Sequence, residues 1–256
     1  NVISGHSMLM AGREQKAAEA AERQTKLTVE LRSCDSRIHL LSELEKELEG
    51  FSKAAKIVMQ ESERGTLRGV HGPVGKMIRT EDRYALAVET ALGAHVGDII
   101  VDTQDNGKDI FALLKRRDGG RVTLQPMDVI RPARLNGEPR GEAGYVGVCS
   151  DLVNCDKRYS AVIASLLGRT AVAETLTDAI AIARRHNNSF RIVTLDGQIL
   201  NAGGSMTGGS AGKNTGILSR ANELKRLREK RGDLEAQLSQ TESQRREAER
   251  ELQSAR

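Results

Sequence analysis

The sequence ILNAGGSMTGGSAGKNTG, at residues 199–216, separates a globular stretch from a long charged helix, and six of its eighteen residues are glycine. Three arrangements commonly need so much glycine: a loop that cradles phosphate, a turn that presents a catalytic serine, and a backbone that lies against another backbone. Each arrangement requires particular neighbours, so the flanking residues distinguish among them.

A phosphate-binding loop is the first arrangement. Its motif ends in Gly-Lys followed by Ser or Thr, because the hydroxyl binds Mg²⁺, and it opens with a glycine at a fixed spacing. Here Asn214 follows Lys213, and Thr207 stands where the first glycine belongs. The motif fails at both ends, and we expect no nucleotide site in this segment.

A catalytic serine is the second arrangement. The sequence GGSAG, at residues 208–212, matches the G-x-S-x-G pattern with Ser210 as the nucleophile. That pattern needs a strand directly before it and a helix directly after it, but GGSMT precedes and KNTG follows. No histidine occurs after His186. A small α/β hydrolase that uses Ser210 is the alternative from another functional class, and we expect no catalytic site.

Close backbone approach is the third arrangement, and the sequence favours it. DGQILNAGG is typical of a turn, a short strand and then glycines, which predicts an unpaired strand edge at the end of the globular stretch. An exposed edge invites pairing with another chain, so a second copy of the protein is the expected cover. A flexible linker is the alternative. The apolar residues Ile199, Leu200 and Met206, interleaved with the glycines, argue against it.

Long helical arms are predicted at both ends of the chain, at residues 1–64 and 215–256. In the first arm, apolar residues recur at alternating spacings of four and three, which is the heptad pattern of a coiled coil. In the second arm they fall on one such register, whose other positions are filled by Arg231, Thr241 and Arg245. The recurring residues are Leu27, Leu31, Cys34, Ile38 and Leu41 in the first arm, and Leu224, Leu227, Leu234, Leu238, Ala248 and Leu252 in the second. Since each apolar seam needs a partner, we predict that the arms pair antiparallel. Two separate helices docked on the globular part are the alternative.

The middle of the chain, residues 65–214, has the pattern of an α/β domain built from two similar halves. Arg83-Tyr84 leads through a predicted helix to Leu92-Gly93, and the same spacing recurs from Arg158-Tyr159 to Leu167-Gly168. Predicted strands and helices then follow in the same order in each half. We place the halves at about residues 65–125 and 148–214. The linker between them, residues 126–147, holds three of the four prolines.

Composition narrows the class of protein. Only 38% of the 256 residues are hydrophobic, 2% are aromatic and 29% are charged, which is typical of a chain that is partly charged helix. The apolar runs are too short to span a bilayer, and no signal peptide is visible. The three cysteines form no CxxC pair and the histidines are scattered, so we expect a reducing cytoplasm and no metal site. Because the chain starts with Asn1, we expect a piece of a longer protein.

Together, the two heptad arms, the two-half α/β middle and the sequence LDGQILNAGGSMTGG at residues 195–209 resemble the hinge of bacterial SMC (structural maintenance of chromosomes) proteins. The sequence RGTLRGVHGPVGKMI, leading into YALAVETALG, resembles the same family. Ala202 departs from the pattern, because bacterial relatives often have proline there. An SMC-like hinge from a repair or recombination ATPase is the alternative within this class.

The resemblance implies a ring-shaped homodimer in which one half of each copy meets the other half of its partner. It implies an interface at Gly203, Gly204, Gly208 and Gly209, with Ile199, Leu200 and Met206 beside them. It also implies that ATP and Mg²⁺ bind at head domains absent here, so this chain itself takes no cofactor. Further implied partners are a kleisin and accessory subunits, in chromosome condensation and segregation at the nucleoid.

Positive charge collects where the second arm begins. The net charge is +4 with an isoelectric point near 9.0. Residues 220–231 hold six basic residues against Glu223 and Glu229, which equals that whole excess. The expected DNA contacts are Lys213, Arg220, Lys225, Arg226, Arg228, Lys230 and Arg231, with Lys53 and Lys56 nearby if the arms pair. We call these residues the basic cluster and predict weak, sequence-independent DNA binding. An ordinary solvated helix face is the alternative.

Overall fold

The computed structural model describes residues 2–209 and 216–254. Its contacts divide the chain into a helical unit, Asn1–Glu47 with Glu223–Arg256, and a globular unit, Leu48–Asn222. The predicted class, an α/β domain flanked by two long helices, is confirmed.

The helices and strands follow one another in mixed order. The helices are α1 Val2–Lys46, α2 Lys53–Glu63, α3 Val74–Met77, α4 Asp82–Leu92, α5 Gln104–Arg116, α6 Ser160–Leu167, α7 Leu176–Arg185 and α8 Ile217–Ser254. The strands are β1 Val70–Pro73, β2 Ile78–Thr80, β3 Ile99–Val101, β4 Leu124–Pro126, β5 Tyr145–Val148, β6 Val153–Cys155, β7 Thr170–Ala173, β8 Arg191–Thr194, β9 Ile199–Leu200 and β10 Met206–Thr207. Within the described ranges, no helix has a stretch long and apolar enough to cross a bilayer.

The helical unit is an antiparallel pair of α1 and α8. Leu27, Cys34 and Leu234 are buried between the two helices, with the other predicted seam leucines packed around them. Arg37 on α1 pairs with Glu223 at 2.8 Å. Nearer the start of α1, Lys16 pairs with Glu251 at 3.3 Å, close to the end of α8. The predicted coiled-coil pairing of the arms is therefore confirmed.

The first arm is shorter than the sequence predicted. Helix α1 ends at Lys46, and Leu48 and Gly50 then take left-handed backbone conformations, with φ of 53° and 96°. Such residues cannot continue a right-handed helix. Helix α2 begins anew after the cap Ser52 and buries Ala55 in the globular core rather than continuing the arm to residue 64.

Each half of the globular unit repeats one topology. In the first half β3 pairs antiparallel with β1 and parallel with β4. In the second half β7 pairs antiparallel with β5 and parallel with β8. The linker between the halves runs only from residue 127 to 144, because Pro126 belongs to β4 and Tyr145 to β5. It is thus shorter at both ends than the predicted 126–147.

The two halves share one apolar core. Val88 and Leu92 of α4, in the first half, are buried with Val162 of α6 and Val172 of β7, in the second. Leu218, in the first turn of α8, is buried in the same cluster. Strands β2 and β6 pair antiparallel and add a backbone connection between the halves. The globular unit therefore holds the start of α8 within its core.

Candidate functional site

The glycine-rich segment forms a hairpin at one edge of the five-stranded sheet. The strand order there is β10-β9-β8-β7-β5, so β10 is the outermost strand. Between β9 and β10 the chain turns tightly, with Asn201 N donating to Ser205 O at 2.8 Å. Gly203 and Gly204 occupy this turn with φ of 86° and 95°. Such φ values favour glycine, so the local sequence accounts for the turn.

The free strand edge lies on β10 rather than on β9. The sequence predicted that the QIL strand would present the edge, but β9 is paired on both sides, with β8 and with β10. Leu200 is consequently 4% exposed and belongs to the core of the second half. Ile199 packs against the shared core. Met206 on β10 is 55% exposed, so of the three apolar candidates it offers the most free surface.

Gln198 holds the outer strand in place, and sequence reasoning missed it. Gly209 N donates to Gln198 Oε1 at 3.1 Å, and Gln198 Nε2 donates to Gly209 O at 3.3 Å. A Cβ on Gly208 would lie 1.8 Å from that same Oε1. A contact within the chain therefore favours glycine at position 208, because the Gln198 side chain lies directly beside its backbone. The only signal in the sequence was a polar residue just before a short strand.

A second open edge belongs to the first half. Its sheet has the order β1-β3-β4, so β4 has no strand on its outer side in the described part of the chain. The equivalent strand β8 is covered there by β9. Near β4, Phe111 is 51% exposed in a chain with only three phenylalanines. Phe111 lines a cavity of about 410 Å³ with Leu114 and Val122.

Part of the basic cluster lies on the globular unit. Lys56 Nζ lies 3.5 Å from a Glu49 carboxylate oxygen, and Arg220 Nη2 donates to the Glu49 carbonyl oxygen at 2.6 Å. Lys53 Nζ donates to the Asp118 carbonyl at 3.4 Å. Lys56 and Arg220 are therefore brought together around Glu49.

The remainder of the described basic cluster lies on α8 in the helical unit, where it has carboxylate neighbours. Lys230 lies 4.0 Å from Glu30, and Arg231 lies 3.2 Å from Asp35. Lys225 lies 4.0 Å from Glu229. Exposed pairs of this kind contribute about 0–1 kcal/mol, so phosphate oxygens can replace the carboxylates at little cost.

Lys213 and Ser210 lie outside the described residues. Arg228 is exposed, with no carboxylate at ion-pair distance in the described ranges. Arg226 is exposed on α8 and takes part in an interaction within the chain.

Acidic residues at strand ends have partners within the fold. Asp98 accepts from Gln125 Nε2 at 2.7 Å and is bonded to His95 Nδ1 at 2.7 Å. Asp102 lies 2.7 Å from His71 Nε2, whose other ring nitrogen is 3.1 Å from the Tyr159 hydroxyl. The group of His71, Asp102 and Tyr159 links the two halves, since Tyr159 belongs to the second half and the other two residues to the first. In the described ranges no three His, Cys, Asp or Glu side chains are placed to hold a metal.

Comparison with known proteins points to one family. Residues 67–183 match the model of the family described as the SMC proteins flexible hinge domain. The chromosome partition protein Smc of Bacillus subtilis is 35% identical over 205 residues, which is 78% of this chain and 17% of that protein. The Smc protein of Halothermothrix orenii is 34% identical over 198 residues, or 76% of this chain and 16% of that protein. The chain thus spans about a sixth of these curated relatives.

Solved structures agree with the sequence comparison. The Geobacillus stearothermophilus SMC hinge domain, a crystal structure described as an asymmetric dimer, superposes with a TM-score of 0.84 at 32% identity. That match covers 95% of this chain and 99% of the other. The Pyrococcus furiosus SMC hinge domain superposes with a TM-score of 0.53 at 25% identity, over 68% of this chain and 88% of the other.

Proposed function

This chain belongs to the family of SMC flexible hinge domains, and from that premise we propose that it joins two copies of a chromosome-organising SMC protein. The relatives named chromosome partition protein favour this role over the hinge of a repair or recombination ATPase. ATP hydrolysis, Mg²⁺ binding, and contacts with a kleisin and accessory subunits then belong to other parts of such a protein. We expect no cofactor in this chain, and a location at the nucleoid in the cytoplasm.

One observation carries the self-association proposal: each half of the globular unit ends in an open strand edge beside an exposed apolar side chain. Strand β10 bears Met206, and Phe111 lies near β4. Open edges are unstable towards pairing with another chain unless something covers them. The β10 edge of one copy and the β4 edge of its partner offer backbone donors and acceptors to each other.

Pairing between different edges closes into a dimer. When β10 of one copy meets β4 of the second, a two-fold axis places β10 of the second against β4 of the first. The β10 and β4 edges of each copy are then covered, and two equivalent contacts form. The glycines support this arrangement, because nothing lies within 4 Å of a Cβ on Gly203, and Gly204 has only Asn188 near that distance. The turn therefore leaves room for a second backbone.

Cross-linking between two distinguishable copies tests this pairing. One copy carries Met206→Cys and the other carries Phe111→Cys, both with Cys155→Ser to remove the half-exposed native thiol. A short bismaleimide should join the two different copies much more than two identical ones. Equal cross-linking in all mixtures, or none in any mixture, would contradict the pairing of β10 with β4.

We propose DNA as a second partner, bound weakly at the basic cluster. Lys53, Lys56 and Arg220 lie on the globular unit, the last two around Glu49. The other described members follow one another along α8. Phosphate contacts from such residues give affinity without sequence preference and weaken as salt rises. With three tyrosines, three phenylalanines and no tryptophan in the chain, stacking on bases contributes little.

A further inference from the structure

The first turn of α8 is held by a carboxylate from another helix. Ile217 N donates to Glu89 Oε1, on α4, at 2.6 Å. The first amides of a helix have no acceptor within the helix, and an anion there interacts favourably with the helix dipole. Burial raises the pKa of the Glu89 carboxyl, while the amides of Ile217 and Leu218 and the charge of Arg220 oppose that rise.

Gly216 makes this contact possible. A Cβ at position 216 would lie 1.8 Å from Glu89 Oε2 and 2.1 Å from the carboxyl carbon. A residue with a side chain would therefore displace the carboxylate from the end of α8. One of the six glycines in the glycine-rich segment is thus explained by helix capping.

Further contacts fix the next residues of α8 to the globular unit. Leu218 is buried in the shared core. Asn222 Nδ2 donates to the Thr80 carbonyl at 3.0 Å, at the end of β2. The first turns of α8 therefore rest on the first half at several points, with Glu89 as the contact to the helix end.

The last turn of α4 is held by the second half of the globular unit. Arg191, the first residue of β8, donates from Nη1 to the Ala91 carbonyl at 2.8 Å and from Nη2 to the Thr90 carbonyl at 3.4 Å. These are carbonyls of the last turn of α4, which lack partners within the helix. Gly197, in the turn between β8 and β9, lies against Thr90 and Leu86, because its Cβ would be 3.1 Å from Thr90 Oγ1 and 3.3 Å from Leu86 Cγ.

Three consecutive residues of α4 therefore contact two neighbouring parts of the fold. Glu89 holds the start of α8, while Thr90 and Ala91 receive β8 and the turn that leads into the β9–β10 hairpin. These three residues lie within one turn of the same continuous helix, so their backbones are held close together. A displacement of the hairpin strands that shifts Thr90 and Ala91 must also shift Glu89.

We propose that α4 couples the β9–β10 hairpin to the first turn of α8, through Arg191 on one side and Glu89 on the other. Association of two copies at the hairpin then orders the start of α8, and order at the start of α8 strengthens association. The proposal rests on the proposed function, because it takes the hairpin as the association surface. Coupling of this kind is reciprocal, and it needs no change in the mean structure.

Amide hydrogen exchange of residues 217–220, combined with sedimentation equilibrium, tests the coupling. At a concentration where the wild type is dimeric and Met206→Asp is monomeric, these amides should exchange at least about fivefold more slowly in the wild type. By reciprocity, Glu89→Gln should raise the dimer dissociation constant by a similar factor, although Glu89 is not on the hairpin. Glu81→Gln is the matched control, since Glu81 precedes the same helix and its side chain makes no cap hydrogen bond.

The possible outcomes separate the two proposals. A wild-type dimer whose residues 217–220 exchange at the monomer's rate overturns the coupling and leaves self-association intact. A wild-type protein that is monomeric throughout overturns the proposed function, and the coupling with it. If Glu89→Gln fails to fold, Gly216→Ala displaces the same carboxylate from the α8 side and should weaken the dimer. An unchanged dissociation constant in that variant also contradicts the coupling.

Discussion

The side-chain amide of Gln198 bonds to both backbone groups of Gly209, at 3.1 Å to its N–H and 3.3 Å to its carbonyl oxygen. These two hydrogen bonds fasten the end of β10, the strand proposed to meet the second copy. Gln198→Ala should therefore loosen β10 and weaken self-association by about 1 kcal/mol, or roughly fivefold in the dissociation constant. Sedimentation equilibrium of the variant measures this change.

A double-mutant cycle with Gly208→Ala is the control. Alanine at 208 would push the Gln198 amide away, because its Cβ would overlap Oε1. The single variants should then weaken the dimer by similar amounts, and the double variant by no more than either alone. Additive effects would show that Gly208 acts independently of Gln198.

Met206→Asp should weaken the dimer by about tenfold or more, because it places a charge at the centre of an apolar contact. The side chain of Met206 is 55% exposed in the single chain, so the folded monomer should be preserved. Met8→Asp makes the same change at a methionine that is 77% exposed on α1. The control should leave the dissociation constant unchanged. An equal loss of dimer affinity in both variants would contradict the role of the β10 edge.

Replacing Lys225, Arg226, Arg228 and Lys230 together by Glu should lower DNA affinity and leave the dimer mass unchanged. The dependence of the logarithm of affinity on the logarithm of salt concentration should also flatten, by about 0.9 for each phosphate that the variant no longer neutralises. Fluorescence anisotropy with a labelled duplex at several salt concentrations measures both quantities. The charge-matched control reverses four exposed basic residues at the other end of the helical unit, Arg23, Lys26, Arg246 and Arg250. Equal affinity in the two variants would rule out the basic cluster as the DNA site.

Glu61 should make the globular unit sensitive to acid. Its carboxylate accepts from Arg117 Nη1 at 2.8 Å and from Arg64 Nη1 at 2.9 Å, and the Arg117 contact is the largest cause that holds its pKa below the ordinary 4.5. A lowered pKa stabilises the fold above pH 4.5, and that stabilisation is lost as the pH falls through the lower value in the folded protein. Between pH 5 and pH 3, the free energy of unfolding in urea should therefore fall more for the wild type than for Glu61→Gln. Equal losses would contradict the role assigned to Glu61.

The seam of the arms could be predicted because its signal is periodic. Leu27, Cys34 and Leu234 recur at heptad spacing, and that spacing alone determines which face of each helix is buried. The end of α1 is also marked in the sequence, because the apolar residues Leu44, Leu48 and Phe51 show a slip in the heptad phase of the first arm. Continuing the helix through that slip placed the boundary too late, because a left-handed residue such as Leu48 leaves no trace in composition.

The hairpin and the cap of α8 could not be predicted in the same way. Strand β10 has two residues, Met206 and Thr207, which is too short to show alternation. Glu89 caps a helix that begins 128 positions later in the chain, so only the folded structure brings the two together. The sequence therefore predicted a short strand and a glycine turn in this segment, and it assigned the free edge to β9 instead of β10.

The solution mass over a wide range of concentrations tests the central claim most directly. Sedimentation equilibrium of the wild-type chain should give twice the 27.9 kDa of the monomer, and that mass should persist on dilution well past the concentration at which Met206→Asp dissociates. A mass of 27.9 kDa at every concentration would contradict self-association, and the open edges of β4 and β10 would then require another partner.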